Sequence, residues 1–401
     1  MDKHKKYLPY GKHHVDDLDV EEVVSVLRSD FLTTGSKTIE FESDFAKYTD
    51  SKYAISCSSG TAALHLALLS LDLPKNSNII VPSISFVATA NVVELVGGRI
   101  IFADVDEKTG VLSESSILEA IKNSNSEVSA ILPVHLNGCS VDMEMLQHVS
   151  GQFNLKIIED ACHALGGNYY KGETIVGTVG SNLYSDLTTF SLHPVKAIAM
   201  GEGGIITTNS DAIQKKLLKF RNHGMTRNTD DFLNKKLAFD KDGEPNPWYY
   251  EMQELGFNYR ASDIHCALGC SQLKKINKFI AKRIELVKLY KKYLEPFSSL
   301  ITPVRNDFPI SAPHLFPVLI DFASIGKTRA ELMKFLDGKG IGTQVHYIPL
   351  FLHPYYQDKY NHNHYRGAKK YYERCLSLPL YYDMEEEDVI RVKTALQEII
   401  G

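Results

Sequence analysis

Short β-branched apolar runs alternate with helical patterns along the first half of the chain, and this alternation limits the possible folds more than any other feature. Near-continuous apolar strands joined by helices are typical of a parallel sheet covered on both faces. Two further strand-like runs, near 183–190 and 204–208, extend the pattern, and we predict a large α/β domain. The earlier strand-like runs lie at 53–56, 78–82, 99–105, 128–136 and 155–160, and the helical patterns between them at 61–72, 86–96, 114–123 and 142–151.

The C-terminal part of the chain has a different pattern. Helices dominate from 262 to 295, and the tail predicts a strand at 314–322, a helix at 328–338, a strand at 342–347 and two more helices. A length of 401 residues suits two domains. We predict a large domain at 1–260, with an N-terminal helix near 19–27, and a second part at 261–401 made of linking helices and a smaller α+β domain.

Composition excludes several classes of protein. The net charge of −5 argues against a nucleic-acid footprint, and because no run of 18 apolar residues occurs we expect no membrane span. The first residues lack the apolar core of a signal peptide, and the six cysteines form no C-x-x-C pair. We therefore expect free thiols and a cytoplasmic location. The adjacent pair His13 and His14 does not favour a metal site.

A first candidate site is the stretch "CSSGTAALHLALL" at 57–69, which follows a predicted strand and opens a predicted helix. The first turn of a helix offers free N–H groups and the positive end of the dipole, so it can bind an anion. The hydroxyls of Ser59 and Thr61 would add donors. The same stretch also fits a simple N-cap without a ligand.

A second candidate is the stretch "IIEDACHALGG" at 157–167, where Glu159 and Asp160 end a predicted buried strand. Carboxylates at the carboxyl end of a parallel strand point toward the cleft in which α/β sheets bind ligands. A buried carboxylate without a partner is costly, so we expect a cation beside Asp160. A structural ion pair would satisfy the same requirement.

The third candidate is Lys196, which stands between an apolar stretch and a Gly-Glu-Gly-Gly loop in "FSLHPVKAIAMGEGG". A lysine removed from water loses proton affinity and becomes a nucleophile toward carbonyl groups. Alone, it could also be a loop charge or a phosphate ligand. A Schiff-base lysine, a buried aspartate and an anion-binding helix start are together the protein parts that pyridoxal phosphate (PLP) needs.

The sequence resembles the sugar-nucleotide aminotransferases of the DegT family, and the resemblance covers nearly the whole chain. It implies the aspartate-aminotransferase-like (type I PLP) fold, an α/β architecture with a large mixed, mostly parallel sheet and a smaller α+β C-terminal domain. The segments are most similar to the pseudaminic acid branch of the family. The matching motifs are "DFLTTG…EFE" (30–42), "SSGTAAL" (58–64), "PSISFVATANVV" (82–93), "EDACHALG" (159–166), "FSLHPVKAIAMGEGG" (190–204), "RNHG" (221–224), "GFNYRASDIHCALGCSQLKK" (256–275) and "HYIPL" (346–350).

The resemblance implies a role for each matching cofactor residue. Lys196 would form the Schiff base with PLP and move the proton between the substrate Cα and the cofactor C4′. Asp160 would pair with the pyridine nitrogen. Because one phosphate ligand comes from a second subunit, the resemblance also implies a homodimer with a shared active site. The phosphate ligands would be Ser59, Gly60, Thr61, Ser191 and the partner's copy of Asn258, while Phe86 would stack on the ring and His163 would lie near the ring hydroxyl.

The substrate side is assigned from the same resemblance. Trp248, Tyr249 and Tyr250, in a polar segment at 225–258, would line the nucleotide-sugar entrance, or else pack a subunit interface. His346 and Tyr347 would face the sugar, or else form a turn. The remaining candidates are Glu202, near the site without an assigned role, and Arg221, His223 and Arg260, for the diphosphate or the donor carboxylate.

The function that follows from the resemblance is transamination. L-Glutamate would supply the amino group, and the acceptor would be the 4-keto group of a UDP-linked 6-deoxy-N-acetylhexosamine, a precursor of nonulosonic (pseudaminic) acid or of a surface glycan. The alternatives are an aminotransferase acting at position 3 or 4 of a dTDP or GDP ketosugar, a PLP-dependent sugar dehydratase and a non-catalytic PLP-binding regulator. Lys196 disfavours the dehydratase, because those relatives have histidine in its place.

Overall fold

The computed structural model describes residues 7–124, 126–304, 311–360 and 365–400. Within these ranges the strands are β1 (Tyr53–Cys57), β2 (Asn78–Pro82), β3 (Arg99–Ala103), β4 (Val128–Ile131), β5 (Lys156–Asp160), β6 (Asn168–Lys171), β7 (Thr174–Thr178), β8 (Leu187–Ser191), β9 (Gly204–Thr208), β10 (Met225–Thr226), β11 (Glu251–Met252), β12 (Ile301–Pro303), β13 (Phe316–Ile320) and β14 (Cys375–Leu378).

The helices of the same ranges alternate with the strands in the first half and dominate the second half of the chain. They are α1 (Asp17–Leu27), α2 (Ser36–Thr49), α3 (Gly60–Ser70), α4 (Val87–Leu95), α5 (Glu114–Asn123), α6 (Met143–Phe153), α7 (Asp211–Arg221), α8 (Lys235–Ala238), α9 (Asp263–Leu294), α10 (Arg329–Gly338), α11 (Pro354–Gln357), α12 (Arg366–Arg374) and α13 (Glu386–Ile400).

The centre of the fold is a seven-stranded sheet in the order β1-β9-β8-β5-β4-β2-β3. Its neighbouring strands pair in parallel from β8 to β3, whereas β9 is antiparallel to both β8 and β1. The prediction of a large, mixed, mostly parallel sheet is therefore confirmed. The strands predicted at 99–105 and 128–136 are shorter than expected and end at Ala103 and Ile131.

Side-chain caps fix the turns that lead from the strands into the helices. Ser59, Ser113, Asp142 and Ser210 each accept a hydrogen bond from a backbone N–H in the first turn of α3, α5, α6 and α7. Such a cap satisfies one of the N–H groups that a helix leaves free at its start. The N-terminal helix α1 begins two residues before the predicted start and is capped by Asp16.

The C-terminal part contains an antiparallel three-stranded sheet, β12–β13–β14. The predicted strand at 314–322 and helix at 328–338 are present as β13 and α10. The strand predicted at 342–347 is wrong, because only Gln344 forms a bridge there, with Ser377. The rest of that stretch leaves the sheet, and β14, which the sequence analysis missed, occupies the position beside β13.

The long helix α9 connects the two hydrophobic cores. Ile276 and Phe279 pack in the core of the large sheet, and Leu286 and Tyr290 pack in the core of the small sheet. Because one helix contributes to both cores, the domain boundary at 260/261 stays a prediction.

Two smaller features differ from the expected loops. The hairpin β6–β7 follows β5 directly, and the polar segment at 225–258 contains α8 and the strand pair β10–β11. All six cysteines are free thiols. In the described ranges no helix combines the length and the apolar character needed to cross a membrane.

Candidate active site

A cavity of about 590 Å³ lies where the loops after β1, β2, β5 and β8 meet the C-terminal segment at 344–353. We call it the Lys196 cavity. Its volume is in the usual range for a small-molecule site. The predicted residues that line it are Ser59, Gly60, Thr61, Phe86, Asp160, His163, Ser191, Lys196, Glu202, His346 and Tyr347.

Lys196 lies in the loop that joins β8 to β9, and its backbone N–H donates to the carbonyl of His193 at 2.8 Å. Burial lowers the pKa of the Lys196 ammonium below its ordinary value, and electrostatic interactions with Cys162 and Asp160 oppose part of this shift. A lowered pKa increases the fraction of free amine near neutral pH. The side chain is therefore suited to attack a carbonyl carbon or to move a proton.

Asp160 ends β5 and is buried, with its carboxylate held by two hydrogen bonds. Thr89 donates its hydroxyl to Oδ2 at 2.7 Å, and the N–H of Cys162 donates to Oδ1 at 3.2 Å. The expected ion pair is not formed: in the described ranges no lysine or arginine lies within 4.0 Å of this carboxylate. Asp160 thus presents a negative charge to the cavity without a cation directly attached to it.

Glu159 does not share this cavity, which corrects the prediction that both carboxylates point toward the cleft. Successive residues of a strand project to opposite faces of the sheet. Asp160 takes the cavity face, so Glu159 takes the other face, where it is fully buried against His135 and Tyr169.

The N-terminus of α3 meets the start of the Lys196 loop at very close range. The Ser59 hydroxyl accepts the N–H of Ala62 at 3.1 Å, so the N-cap reading is correct. The same hydroxyl keeps its own hydrogen, and it can therefore still donate to an anion. A Cβ on Gly60 would lie 2.7 Å from the Ser191 Cβ, so only glycine allows this approach.

His163 forms hydrogen bonds through both ring nitrogens. Its Nδ1 accepts the N–H of Asn137 at 3.3 Å, and its Nε2 lies 3.1 Å from the Tyr347 hydroxyl. Because Nδ1 accepts, Nε2 carries the proton. Burial, with the positive charge of Lys196, holds the pKa of His163 well below its ordinary value, so the ring is neutral.

His346 and Phe86 complete the walls near Tyr347. Burial lowers the pKa of His346 to about 3, and its Nδ1 lies 2.8 Å from the Ser377 hydroxyl. Phe86 stands at the N-cap position of α4 and is 55% exposed, with its ring centroid 5.9 Å from that of Tyr347. An exposed aromatic ring in a cavity is available to pack against a planar ligand.

Arg221 and Arg260 line a separate cavity of about 520 Å³ beside α2 and α7, which we call the arginine cavity. Arg221 forms an ion pair with Glu42 and donates to the carbonyl of Ser56 at 2.7 Å. Arg260 donates to the Asn222 side chain at 2.6 Å, whereas its buried Nε has no partner. Within one chain, neither arginine reaches the Lys196 cavity.

Five other predicted residues also lie outside the Lys196 cavity of their own chain. His223 and Asn258 are exposed, and Trp248 is 73% exposed. Tyr249 is half-buried against Phe232 of its own chain. Tyr250 is exposed beside the guanidinium of Arg227.

The structure adds residues that the sequence analysis did not single out. Thr89 holds Asp160, Cys162 lines the cavity beside it, and Tyr10 enters from the N-terminal segment with its ring 5.5 Å from that of His346. Gln344 and His353 line the opposite wall. Of these residues, Thr89 was the easiest to predict from the sequence, because it follows Ser85 by one helical turn at the start of a predicted helix. The others stand in no recognisable pattern.

Comparison with known proteins gives a consistent result. Residues 13–397 match the model of the DegT/DnrJ/EryC1/StrS aminotransferase family. The UDP-4-amino-4,6-dideoxy-N-acetyl-beta-L-altrosamine transaminase of Campylobacter jejuni subsp. jejuni is 33% identical over 393 residues, which are 98% of this chain and 97% of that protein.

Solved structures of aminotransferases are similar to this chain over nearly its whole length. PseC from Helicobacter pylori, an aminotransferase involved in the biosynthesis of pseudoaminic acid, has a TM-score of 0.87 and 28% identity, covering 98% of this chain and 99% of that one. The PLP-form of the putative sugar aminotransferase Spr1654 from Streptococcus pneumoniae has a TM-score of 0.85 and 26% identity, covering 98% of each chain.

Proposed function

This chain belongs to the DegT/DnrJ/EryC1/StrS aminotransferase family, and from that membership we propose that it transfers an amino group from L-glutamate to the 4-keto group of a UDP-linked 6-deoxy-N-acetylhexosamine. It is a PLP-dependent sugar aminotransferase. The donor, the nucleotide and the keto position are the proposed parts. Their support is the Campylobacter relative, whose name specifies a UDP-linked amino sugar, together with the similarity to PseC.

The residues of the Lys196 cavity fit PLP. Asp160 is a buried carboxylate without a paired cation, which suits a protonated ring nitrogen. The N–H groups at the start of α3 suit a phosphate, and Gly60 keeps that helix start against Ser191. Lys196 lines the same cavity, as a Schiff-base lysine must.

When bound, PLP supplies an aldehyde that accepts the amino group and a ring that withdraws electrons from the neighbouring carbon. We assign Lys196 Nζ two tasks: it binds the cofactor at the aldehyde carbon, and it moves the proton between the Cα of the substrate and C4′. The lowered pKa of Lys196 favours both, because each requires the free amine.

We assign the other cavity residues two tasks: they orient the ring of the cofactor, and they control the proton on its nitrogen. Asp160 keeps the proton on the ring nitrogen, and Thr89 fixes the carboxylate that does so. Neutral His163, whose Nε2 hydrogen faces the Tyr347 hydroxyl, would lie near the ring hydroxyl of the cofactor, and Phe86 would pack on the ring face. His346 and Tyr347 also line the cavity, and we assign them to the sugar side.

We also propose that two chains complete the active site as a homodimer. Asn258 is exposed, so it is free to reach the phosphate of a partner, and Arg260 keeps a buried Nε without a partner. Several large apolar side chains are exposed, which is typical of an interaction surface, and one of them, Ile39, lines the arginine cavity. They include Phe31, Ile39, Trp248 and Leu255.

The observation that carries the proposal is that Lys196, Asp160 and the start of α3 line a single cavity. The test is a panel of UDP-, dTDP- and GDP-ketosugars, each supplied with L-glutamate or with L-aspartate as the control donor. We expect catalytic turnover, with 2-oxoglutarate released beyond a single equivalent per active site, only with the UDP 4-keto substrate, and product NMR should place the new amine at position 4. Turnover confined to a dTDP 3-keto sugar would reject the proposed substrate, whereas loss of water from the sugar without amination would identify a dehydratase.

A further inference from the structure

Glu159 and Asp160 form a pair of consecutive carboxylates on opposite faces of β5. Asp160 lines the Lys196 cavity, while Glu159 lies on the far side of the strand with no exposed surface. The proposed function uses Asp160 and leaves Glu159 without a role. A fully buried carboxylate costs free energy, so its presence directly behind the cofactor site requires an explanation.

The surroundings of Glu159 favour the ionised form. Its two oxygens accept hydrogen bonds from His135 Nε2 at 2.7 Å, from the Tyr169 hydroxyl at 2.7 and 2.8 Å, and from the hydroxyls of Ser185 and Thr188. Burial by itself raises the pKa of Glu159, but the hydrogen bonds from His135, Ser185 and Tyr169 outweigh it and hold the pKa below its ordinary value. Glu159 is therefore a buried anion at neutral pH.

His135 does not neutralise this charge. Its Nδ1 accepts the backbone N–H of Val141 at 3.1 Å, so that nitrogen has no hydrogen, and the single ring proton is on Nε2, facing Glu159. The imidazole is thus a neutral donor. Within the described ranges no lysine or arginine lies in ion-pair distance of Glu159.

The backbone links this charge rigidly to Asp160. The N–H of Asp160 donates to the carbonyl of Pro133 at 2.9 Å, and its carbonyl accepts the N–H of His135 at 3.1 Å. On the other side, the Thr189 hydroxyl donates to the carbonyl of Glu159 at 2.9 Å. Both carboxylates are consequently fixed relative to each other and to the cavity.

We propose that Glu159 is a positioning residue that places a second buried negative charge behind Asp160 and thereby favours the protonated form of the cofactor's ring nitrogen. The inference rests on the proposed pairing of Asp160 with that nitrogen. An uncompensated anion in a protein interior attracts positive charge over a distance that water would screen. The other titratable groups near the two carboxylates are His135 and Tyr169 at Glu159, and Cys162, Lys196 and Tyr347 at Asp160.

The test measures the ring nitrogen itself in the holoenzyme. Wild-type enzyme and Glu159→Gln are loaded with PLP labelled with ¹⁵N in the ring, and the ¹⁵N chemical shift is followed as a function of pH. Glutamine has nearly the shape of glutamate, and the hydroxyls of Tyr169, Ser185 and Thr188 can rotate to accept from its amide. We expect the midpoint of ring deprotonation to fall by about one pH unit in the variant. An unchanged titration in a folded Glu159→Gln holoenzyme would overturn the proposal.

Tyr169→Phe is the matched control, because it removes a donor from the same network and keeps the Glu159 charge. We expect its midpoint to stay at the wild-type value. A shift equal to that of Glu159→Gln would mean that packing and not charge is responsible, and would also overturn the proposal. If the glutamine variant fails to fold, Glu159→Ser removes the same charge and carries the same expectation.

The measurement on the wild-type holoenzyme distinguishes failure of this inference from failure of the proposed function. If the ring nitrogen of the wild-type holoenzyme is unprotonated near neutral pH, the pairing with Asp160 fails, and the proposed function fails in that respect. If it is protonated in the wild type and unaffected by Glu159→Gln, only the role of Glu159 fails.

Discussion

The Lys196 cavity and the arginine cavity contain the two sets of residues that the sequence predicts for one active site, yet they differ in how their charges are used. In the Lys196 cavity, Asp160 is oriented by hydrogen bonds and has no paired cation. In the arginine cavity, Arg221 is already paired with Glu42, and Arg260 is bound to Asn222. A charged residue is available to a ligand only if the chain has not already neutralised it. One chain therefore supplies most of the proposed cofactor site by itself, and the proposed dimer would add the partner's Asn258.

The largest effect that separates the two cavities is expected for Lys196→Ala. Loss of the amine removes both the attachment of the cofactor and the proton carrier, so we expect amino transfer to fall at least about a thousand-fold. Release of 2-oxoglutarate measures this loss. Lys52→Ala, which removes an exposed lysine paired with Asp211, is the control and should retain full activity. Near-normal turnover by Lys196→Ala would reject the assigned site.

Arg221→Met tests the arginine cavity and should act on stability. It leaves the Glu42 carboxylate, which also accepts the backbone N–H of Ser56 at 2.9 Å, without its cation. Because both side chains are largely buried, we expect the free energy of unfolding to fall by about 2 kcal/mol. Urea denaturation of the apoenzyme measures it, with Arg227→Met as the control in the same cavity. A raised KM for the nucleotide sugar at unchanged stability would contradict this and favour a diphosphate contact.

A smaller effect, dependent on pH, is expected for Glu251→Gln in the segment that borders the arginine cavity. Burial alone raises the pKa of Glu251, but hydrogen bonds from the Leu233 and Asn234 N–H groups, Gln253 and Tyr249 lower it from 4.5 to about 2. The unfolded chain therefore takes up this proton first as the pH falls. The stabilisation is complete above pH 4.5 and is lost between 4.5 and 2.

Urea midpoints across that pH range test the assignment of Glu251. The gap between wild type and Glu251→Gln should be widest at neutral pH and should narrow toward pH 2. Glu244→Gln, which changes an exposed carboxylate in the same segment, is the control. A gap of constant width would show that the hydrogen bonds, and not the charge, carry the effect.

The smallest effect is expected for Trp248→Ala, if the chain is measured as a monomer. An indole that is 73% exposed contributes little to folding, and its loss should change the unfolding free energy by no more than about 0.5 kcal/mol. Tyr249→Ala, which removes a ring packed against Phe232, should cost more. If Trp248→Ala destabilises the protein in a manner that depends on protein concentration, a second subunit covers this residue.

The sequence was sufficient to predict elements with a long hydrophobic pattern and functional residues that stand at the end of a strand. The large sheet followed from the apolar runs, and Asp160 could be placed because it ends one of them. The rule that a carboxylate at a strand end points toward the cleft failed for Glu159. Successive side chains of a strand point to opposite faces of the sheet, and the amino-acid sequence does not show which face borders the cavity.

Short strands, and contacts between residues that are distant in sequence, could not be predicted because they depend on how separate segments pack together. The residues at 342–347 carry a strand-like composition, but β14, more than twenty residues later, takes their position in the small sheet. The hairpin β6–β7 is short, and of its strand residues only Tyr169 is buried, so it gave no periodic signal. The separation of Arg221 and Arg260 from Lys196 depends on how distant segments pack, and Arg221 is committed to Glu42, a residue far away in sequence.

Two separate parts of the chain form the wall of the Lys196 cavity, and this division has a practical consequence for protein engineering. Asp160 and Lys196 stand on the loops of the large sheet, while Gln344 and His353 stand on a separate C-terminal segment. The segment can therefore be redesigned as a cassette. Libraries of variants at Gln344 and His353 would sample new acceptor sugars, while Tyr347, which contacts His163, is left unchanged.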